Sequence, residues 1–236
     1  MSTIAITPIH RAVRFYAAPI GKKAVMAVTG VILFGYVVGH LIGNLQIYAA
    51  DPDQINRYAA FLHSPANVIP LWAIRAFLLA AVILHITASL QLWVQNRAAR
   101  PVAYVKKDDV PASYAARTMR WGGLIILAFI VFHVLHLTVG AVVPLQDVGG
   151  NPVTPDVHHN VIAGFQNPWI SGFYILAMVL LCMHLYHGLW SLFQSLGLNH
   201  PRYSPRIKQG AAIVAILIAI GNCSIPLAVL TGLLTY

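Results

Sequence analysis

A long apolar run, 169–198, has at its centre the sequence Cys182-Met183-His184-Leu185-Tyr186-His187-Gly188-Leu189-Trp190. The run is long enough to cross a bilayer, which takes about 20 residues of helix. Two histidines nevertheless lie in the middle of it. Placing an ionisable side chain in the hydrocarbon region costs free energy, so histidines at this depth indicate a functional site.

The whole chain has the composition of an integral membrane protein. It has 236 residues, of which 58% are hydrophobic and 9% are charged, and its mean hydropathy is +0.72. A soluble domain of this size carries about 25% charged residues. Because no stretch alternates apolar and polar residues as the strands of an outer-membrane barrel do, the sequence predicts one all-α transmembrane domain over residues 1–236.

The apolar runs predict five membrane spans, which would form one helical bundle. We place them at about 24–48, 71–96, 119–143, 169–198 and 209–234. The segment 49–70 is interpreted as a polar connection, and 144–168 as a loop rich in Pro, Gly and Asn. Residues 1–23 are basic and imitate a signal peptide, but the run that follows is longer than a cleaved core of about 7–15 residues. We therefore interpret it as an uncleaved first helix.

The positive charges indicate topology. The formal net charge is +9, and the basic residues lie between the spans rather than in one patch of the kind that binds nucleic acid. The N-terminal segment, the 97–120 connection and the 199–208 turn hold 13 of the 15 Lys and Arg residues. By the positive-inside rule, the sequence predicts a multi-pass protein of the inner (cytoplasmic) membrane with its N-terminus in the cytoplasm and its C-terminus outside.

Cysteine chemistry is not expected to shape this protein. The chain has two cysteines, Cys182 and Cys223, and both fall within predicted spans. Disulfides, zinc sites and the covalent attachment of a c-type haem are therefore not expected.

Four predicted spans carry a histidine near mid-depth. Counted from the cytoplasmic side at about 1.5 Å per residue, these side chains form an inner pair, His85 and His184, and an outer pair, His40 and His133. Two imidazoles that face each other from different helices can ligate one haem iron. The sequence therefore predicts a bundle that holds two b-type haems without covalent bonds.

The third and fourth spans each carry a second histidine three residues after the first, His136 and His187. Two histidines at this spacing share one face of a helix and cannot ligate one iron from opposite sides. One member of each doublet is thus expected to be a ligand. The other would bond a haem propionate, a quinone or a backbone carbonyl, or join two helices by a hydrogen bond.

Glycines mark one face of the first span. Gly35, Gly39 and Gly43 recur at every fourth residue, with His40 beside them. Small residues let another helix or a flat cofactor approach closely. Helix packing is the commoner reason for such a pattern, and His40 in the same run favours a porphyrin.

The chain resembles a known family, the cytochrome b membrane anchors of succinate:quinone oxidoreductases and fumarate reductases, in their single-subunit, five-helix, di-haem form. The resemblance covers roughly residues 11–234. Its most specific parts are Phe132-His133-Val134 and His184-Leu185-Tyr186-His187-Gly188-Leu189-Trp190-Ser191. It implies that His85 and His184 ligate the haem nearer the cytoplasm and that His40 and His133 ligate the outer haem.

The resemblance also implies partners and a reaction. A flavoprotein subunit with covalent FAD would oxidise succinate, and an iron–sulfur subunit docked on the cytoplasmic loops would pass electrons to this chain. The chain would then be the non-catalytic membrane subunit of succinate dehydrogenase or fumarate reductase. Electrons would cross the inner haem and the outer haem to a membrane quinone, commonly menaquinone.

Four further positions follow from this resemblance or from their location. Arg117 and Arg120, where the third span enters the membrane, either pair with the propionates of the inner haem or anchor the helix among lipid headgroups. His63 stands where the family often has an acid near the quinone, and it is either a proton-exchanging group or an exposed loop residue. Cys182 replaces a glutamate that serves transmembrane proton movement in some fumarate reductases, so that route is not expected here.

Other classes of protein fit the sequence less well. A cytochrome b of a hydrogenase or formate dehydrogenase is close in chemistry, but histidines spread one helix at a time favour the succinate type. A membrane non-haem di-iron oxygenase or desaturase would use the two doublets within a cluster of histidines at the cytoplasmic surface, and the metal content per chain would distinguish it. A transporter or a structural anchor is the third alternative, but no predicted span has an acidic residue in its interior for ion coupling.

Overall fold

The structure of the chain is a computed structural model that describes residues 7–99, 114–151 and 154–236. Among these residues there is no strand, and one isolated bridge joins Asp147 to Pro155. The α-helices are α1 Pro8–Ala17, α2 Pro19–Asn44, α3 Gln54–His63, α4 Val68–Ala98, α5 Tyr114–Val134, α6 Val157–Phe165, α7 Pro168–Ser195 and α8 Ser204–Leu230. Three short helical turns complete the set: the 3-10 turns Leu45–Tyr48 and Val148–Gly150 and the π-helical turn Leu135–Val139.

Five helices are long and apolar enough to cross a membrane, and they confirm the predicted multi-pass, all-α architecture. They are α2 with its 3-10 continuation, α4, α5 with its π-helical continuation, α7 and α8. Large apolar side chains along them face outward, among them Ile83 on α4 and Ile216 on α8. Such exposed apolar surface is too extensive for a water-soluble monomer and suits contact with lipid.

The ends of the spans differ from the prediction for local reasons. The first span begins at Pro19 rather than near residue 24, because the ammonium of Lys22 is buried and donates to the carbonyl oxygens of Tyr16 (3.1 Å) and Ala17 (2.7 Å). The third ends at Val139 rather than residue 143, since Gly140 adopts a left-handed conformation with φ of 74°. The fifth span, α8, is shifted toward the N-terminus and ends at Leu230.

Two connections that the sequence suggested were irregular contain helices. α3 lies within the predicted polar connection, and α6 within the predicted Pro-, Gly- and Asn-rich loop. In the second case the polar residues are helix caps: the carboxylate of Asp156 accepts a hydrogen bond from the backbone N–H of His159 (3.0 Å), and the side chain of Asn167 caps α7. His158 and His159 fall within that predicted loop, but both are half-buried residues of α6.

Two pairs of membrane-spanning helices, α2 with α5 and α4 with α7, do not pack closely against each other, and we call these two pairs the open diagonals of the bundle. α7 packs closely with α8, α2 with α4, and α5 with α7. Neither α2 with α5 nor α4 with α7 is among the helix pairs in extensive contact. At one end of the bundle, α2, α5 and α8 start and α4 and α7 finish, and we call this the basic end. At the opposite end, which we call the far end, α3 and α6 pack against each other.

Gly21, at the junction of α1 and α2, provides a test of this arrangement. A Cβ atom at Gly21 would overlap the backbone carbonyl of Phe15, which cannot move without displacing α1. We expect Gly21→Ala to loosen α1 and to speed tryptic cleavage after Arg14 by about tenfold, because overpacking typically costs about 1–3 kcal/mol. Gly210→Ala is the control, since a Cβ there meets nothing within 4 Å. Equal cleavage rates in both variants would contradict the close junction.

Candidate functional site

The inner pair is formed by His85 of α4 and His184 of α7. The centroids of the two imidazole rings lie 6.4 Å apart, and the ring planes are inclined at 61°. These two helices are one of the open diagonals, so the two side chains reach toward each other across the bundle interior. Glycines line the approach: a Cβ at Gly30 would lie 3.5 Å from Cε1 of His85, and one at Gly123 would lie 3.8 Å from Cε1 of His184.

A hydroxyl group holds the ring of His85. Oγ1 of Thr29 donates its single hydrogen to the carbonyl oxygen of Val25, at 2.7 Å. The same oxygen lies 3.1 Å from Nδ1 of His85. Because its hydrogen is already used, the oxygen accepts a hydrogen bond from the ring. With the hydroxyl hydrogen of Thr29 assigned to the backbone in this way, His85 would carry its proton on Nδ1, and the lone pair of Nε2 would be free for a metal.

The outer pair is formed by His40 of α2 and His133 of α5, which span the other open diagonal. The ring centroids lie 5.7 Å apart, and the planes are nearly perpendicular, at 87°. Aromatic rings flank both histidines. Tyr36 stacks on His40 with centroids 5.3 Å apart, and Phe129 lies 5.8 Å from His133.

The two pairs lie at different depths. His85 and His184 lie 13 and 11 residues from the basic ends of α4 and α7. His40 and His133 lie 21 and 19 residues from the basic ends of α2 and α5. At about 1.5 Å per residue, the pairs are separated by about 12 Å along the bundle. The structure thus brings together the histidines that the sequence paired, in the same order of depth.

Both pairs have the spacing that one iron requires. A metal–imidazole bond is about 2 Å long, so two imidazoles that share one iron through Nε2 have ring centroids about 6 Å apart. The observed values of 6.4 and 5.7 Å lie on either side of that distance. A small cleft, lined by Gly122, Met183 and His184 among others, opens beside the inner pair. The donor set and its spacing therefore fit haem.

Unpaired polar atoms lie on α4 and α7, from the level of the inner pair toward the basic end. In this part of α4 and α7, five described side chains have a buried polar atom without a hydrogen-bond partner: Gln91, Gln95, His184, His187 and Trp190. Each such group costs about 1–3 kcal/mol when nothing satisfies it. The ammonium of Lys208 lies 4.6 Å from the centroid of the Trp190 ring. This region is suited to a bound group with acidic or polar substituents.

The second histidine of each doublet has a different setting from the first. His136 is fully buried, and its Nδ1 lies 2.9 Å from the hydroxyl of Tyr174. A Cβ atom at Gly164 of α6 would lie 2.5 Å from Nε2 of His136. His187 contacts Trp190 edge-on, with centroids 5.3 Å apart. Within the described residues, neither ring contacts a histidine of another helix.

Of the remaining predicted site residues, His63 is not brought to either pair. Nδ1 of His63 donates to the carbonyl oxygen of Ala59 in its own helix, at 2.9 Å, and no described ring contact or hydrogen bond joins it to either pair. Arg117 and Arg120 belong to the first part of α5, but their side chains lie outside the described part of the structure. Of the glycine face, Gly43 lies against Tyr58 of α3 and not beside a histidine ring, whereas a Cβ at Gly35 or Gly39 would meet nothing within 4 Å.

Sequence reasoning missed two residues of the site, Tyr174 and Thr29. The hydroxyl of Tyr174 lies 3.2 Å from Nδ1 of His133, and Oγ1 of Thr29 lies 3.1 Å from Nδ1 of His85. The available signal was a hydroxyl-bearing side chain inside an apolar span, which needs a partner there.

Comparison of the chain with protein-family models, with curated proteins and with solved structures finds no match in any of the three.

Proposed function

We propose that this chain is a di-haem cytochrome b, the membrane anchor of a succinate:quinone oxidoreductase or fumarate reductase. The observation that carries the proposal is the pairing of four histidines from four helices. Each pair lies across an open diagonal of the bundle, and each has ring centroids about 6 Å apart. Each pair thus has the spacing suited to one iron, and the two pairs lie at different depths. An electron path across a membrane needs such redox sites at successive depths.

The roles of the residues follow from this arrangement. His85 and His184 would hold the inner haem, and His40 and His133 the outer haem. When bound, the two haems supply one-electron transfer along the bundle. The chain itself sets the ligands, excludes water and keeps the two sites about 12 Å apart along the bundle. An iron–sulfur subunit and an FAD subunit would dock at the basic end, in the cytoplasm. A membrane quinone, which the resemblance indicates is menaquinone, would accept the electrons.

The unpaired groups near the basic end suit the propionates of the inner haem. Nε1 of Trp190 can only donate a hydrogen bond, and Nδ1 of His187 donates when it carries the proton. Trp190 lies six residues beyond His184, or about 9 Å nearer the basic end. A carboxylate there would also lie near the positive charge of Lys208. These side chains join Arg117 and Arg120 as candidates for the propionate contacts.

The pairing across helices favours haem over a di-iron centre. A di-iron centre needs several ligands gathered around two adjacent ions, whereas here the histidines of different helices meet two at a time and at separate depths. Among the described side chains, no three His, Cys, Asp or Glu residues converge on one point. The cytochrome b of another quinone-linked dehydrogenase would share the haems and differ in its partner.

The first experiment is a haem analysis of the purified protein. We expect the dithionite-reduced minus oxidised spectrum to show a b-type cytochrome, with two haems b per chain and no other metal. In membranes that also contain the flavoprotein and iron–sulfur subunits, succinate should reduce the haems, and a membrane quinone should reoxidise them. A preparation that binds iron without haem would refute the proposal and favour the di-iron oxygenase. Haem reduced by hydrogen or formate, and not by succinate, would assign the chain to another dehydrogenase.

A further inference from the structure

Tyr174 of α7 joins the two histidines of the α5 doublet. The tyrosine is buried, and its hydroxyl lies 3.2 Å from Nδ1 of His133 and 2.9 Å from Nδ1 of His136. The ring of Tyr174 is held in place by Phe129 and Phe165, whose centroids lie 5.0 and 4.8 Å away. The hydroxyl therefore has a fixed position between two ring nitrogens.

Two arrangements of the protons give the hydroxyl hydrogen of Tyr174 an acceptor. A third, in which both imidazoles donate to the phenol oxygen, would leave that buried hydrogen without an acceptor among the described residues, which is costly. A phenol has one hydrogen to donate, and a neutral imidazole carries one N–H. In the first arrangement, Nδ1–H of His133 donates to Tyr174, whose hydroxyl donates to Nδ1 of His136. In the second, every bond is reversed, and His133 carries its proton on Nε2. Of the two arrangements that satisfy the hydroxyl, only the first leaves the lone pair of Nε2 on His133 free for iron.

We propose that Tyr174 is a positioning residue for the outer haem: it accepts the Nδ1–H of His133 and so fixes the ligating tautomer and the orientation of that ring. His136 serves the same chain of hydrogen bonds by accepting the hydroxyl hydrogen of Tyr174. Its fully buried ring has no room to turn away, since it lies directly against Gly164. Thr29 has the corresponding task at the inner haem, through Nδ1 of His85. This inference rests on the proposed haem-binding function.

The consequence is that each haem is tuned by a different hydroxyl. An acceptor on the outer nitrogen of an imidazole ligand raises the basicity of the ligand and stabilises the oxidised metal. Removal of the acceptor should therefore make the reduction potential of that haem more positive. Because Tyr174 and Thr29 serve different pairs, each substitution should affect one haem and leave the other unchanged.

The test compares isosteric variants of the purified complex. Tyr174→Phe and Thr29→Val each remove the hydroxyl with little change in shape. We expect Tyr174→Phe to shift the outer haem by about a tenfold change in the ratio of oxidised to reduced form, which is about 59 mV for a one-electron couple, and to change its low-spin EPR signal. Thr29→Val should shift the inner haem alone. Redox titration followed by optical and EPR spectra measures both.

Tyr36→Phe is the matched control at the outer haem. Tyr36 stacks on His40, the other outer ligand, and no hydrogen bond joins its hydroxyl to a histidine within the described residues. This variant should leave both potentials unchanged. If Tyr174→Phe protein lacks the outer haem or is not recovered, 3-fluorotyrosine at position 174 keeps the shape and weakens the acceptor, and it should shift the potential in the same direction by a smaller amount.

The outcomes separate this inference from the proposed function. Two haems in the unaltered protein, with no shift in the Tyr174→Phe or the fluorotyrosine protein, would overturn the inference and leave the proposed function standing. Equal shifts in Tyr174→Phe and Tyr36→Phe would also overturn it, since the loss of any nearby phenol hydroxyl, and not of the hydrogen bond to His133, would then account for the change in potential. A haem-free unaltered protein would refute the proposed function first.

Discussion

Substitution of His184 by alanine should leave one haem b per chain instead of two, and the haem that remains should be the outer one. His184 faces His85 across the bundle, and no other described histidine ring contacts that pair from a different helix. If the two side chains hold one haem iron, as proposed, the substitution would remove one of the two bonds between the protein and that iron. Haem content per chain and redox titration measure the loss and identify the haem that stays.

Double variants test the pairing itself. Because His85 and His184 would share one iron, the variant that lacks both should lose no more haem than either single variant, which is the non-additivity expected of residues that act together. A variant that lacks His40 and His184 should lose both haems, since each belongs to a different pair. If the double variant of the inner pair lost both haems and the cross-pair variant lost one, the assignment of partners would be wrong.

The doublet provides a control within the same helix. His187 lies one turn from His184, and its ring contacts Trp190 instead of a histidine of another helix. His187→Ala should therefore retain two haems, with the inner potential altered at most. A chain that kept both haems without His184 and lost one without His187 would reverse the assignment of the ligand within the doublet.

Gly164→Ala should destabilise the far end of the bundle. The added Cβ would lie 2.5 Å from Nε2 of His136, whose ring is fully buried and has aromatic neighbours in Phe132, Phe165 and Tyr174. Overpacking at such a site costs about 1–3 kcal/mol. We expect a lower midpoint of thermal unfolding in detergent, together with perturbation of the outer haem, because the strain acts on the partner of Tyr174.

Gly172→Ala is the matched control for this substitution. Gly172 lies in α7, where an added Cβ meets nothing within 4 Å. Alanine is favoured over glycine in a helix by about 1 kcal/mol in water, so the control should be neutral or slightly stabilising. Equal midpoints for the two variants would mean that α6 does not close over His136 as the structure has it.

Part of the architecture could be predicted because it depends on local properties of the chain. The number of spans follows from hydropathy, since a helix that crosses a bilayer needs about 20 apolar residues wherever its neighbours lie. The pairing of His85 with His184 and of His40 with His133 follows from depth, because the rise of a helix is constant. Both predictions required only positions along the chain, and both histidine pairs lie close together in the structure.

The short helices at the far end were missed although their signals were present. Ile55 and Ala59 of α3 are buried and one turn apart, as in an amphipathic helix. In α6 the buried residues are Asn160, Ile162, Gly164 and Phe165. Prolines and polar residues at the ends of these segments suggested loops. In the structure Asp156 caps α6, and Asn167 and Pro168 cap and begin α7, whereas α3 has no side-chain cap. Composition alone does not distinguish a capped short helix from a loop.

The sequence by itself determined the membrane class, the number of spans and the depth of each histidine, because these depend on hydropathy and helical rise. Only the tertiary structure decided which hydroxyl faces which ring. Tyr174 and His133 are 41 residues apart in sequence, and Thr29 and His85 are 56 apart. Their contacts depend on how far each helix is rotated about its own axis. That rotation is set by the packing of side chains from several helices together, which no single span encodes.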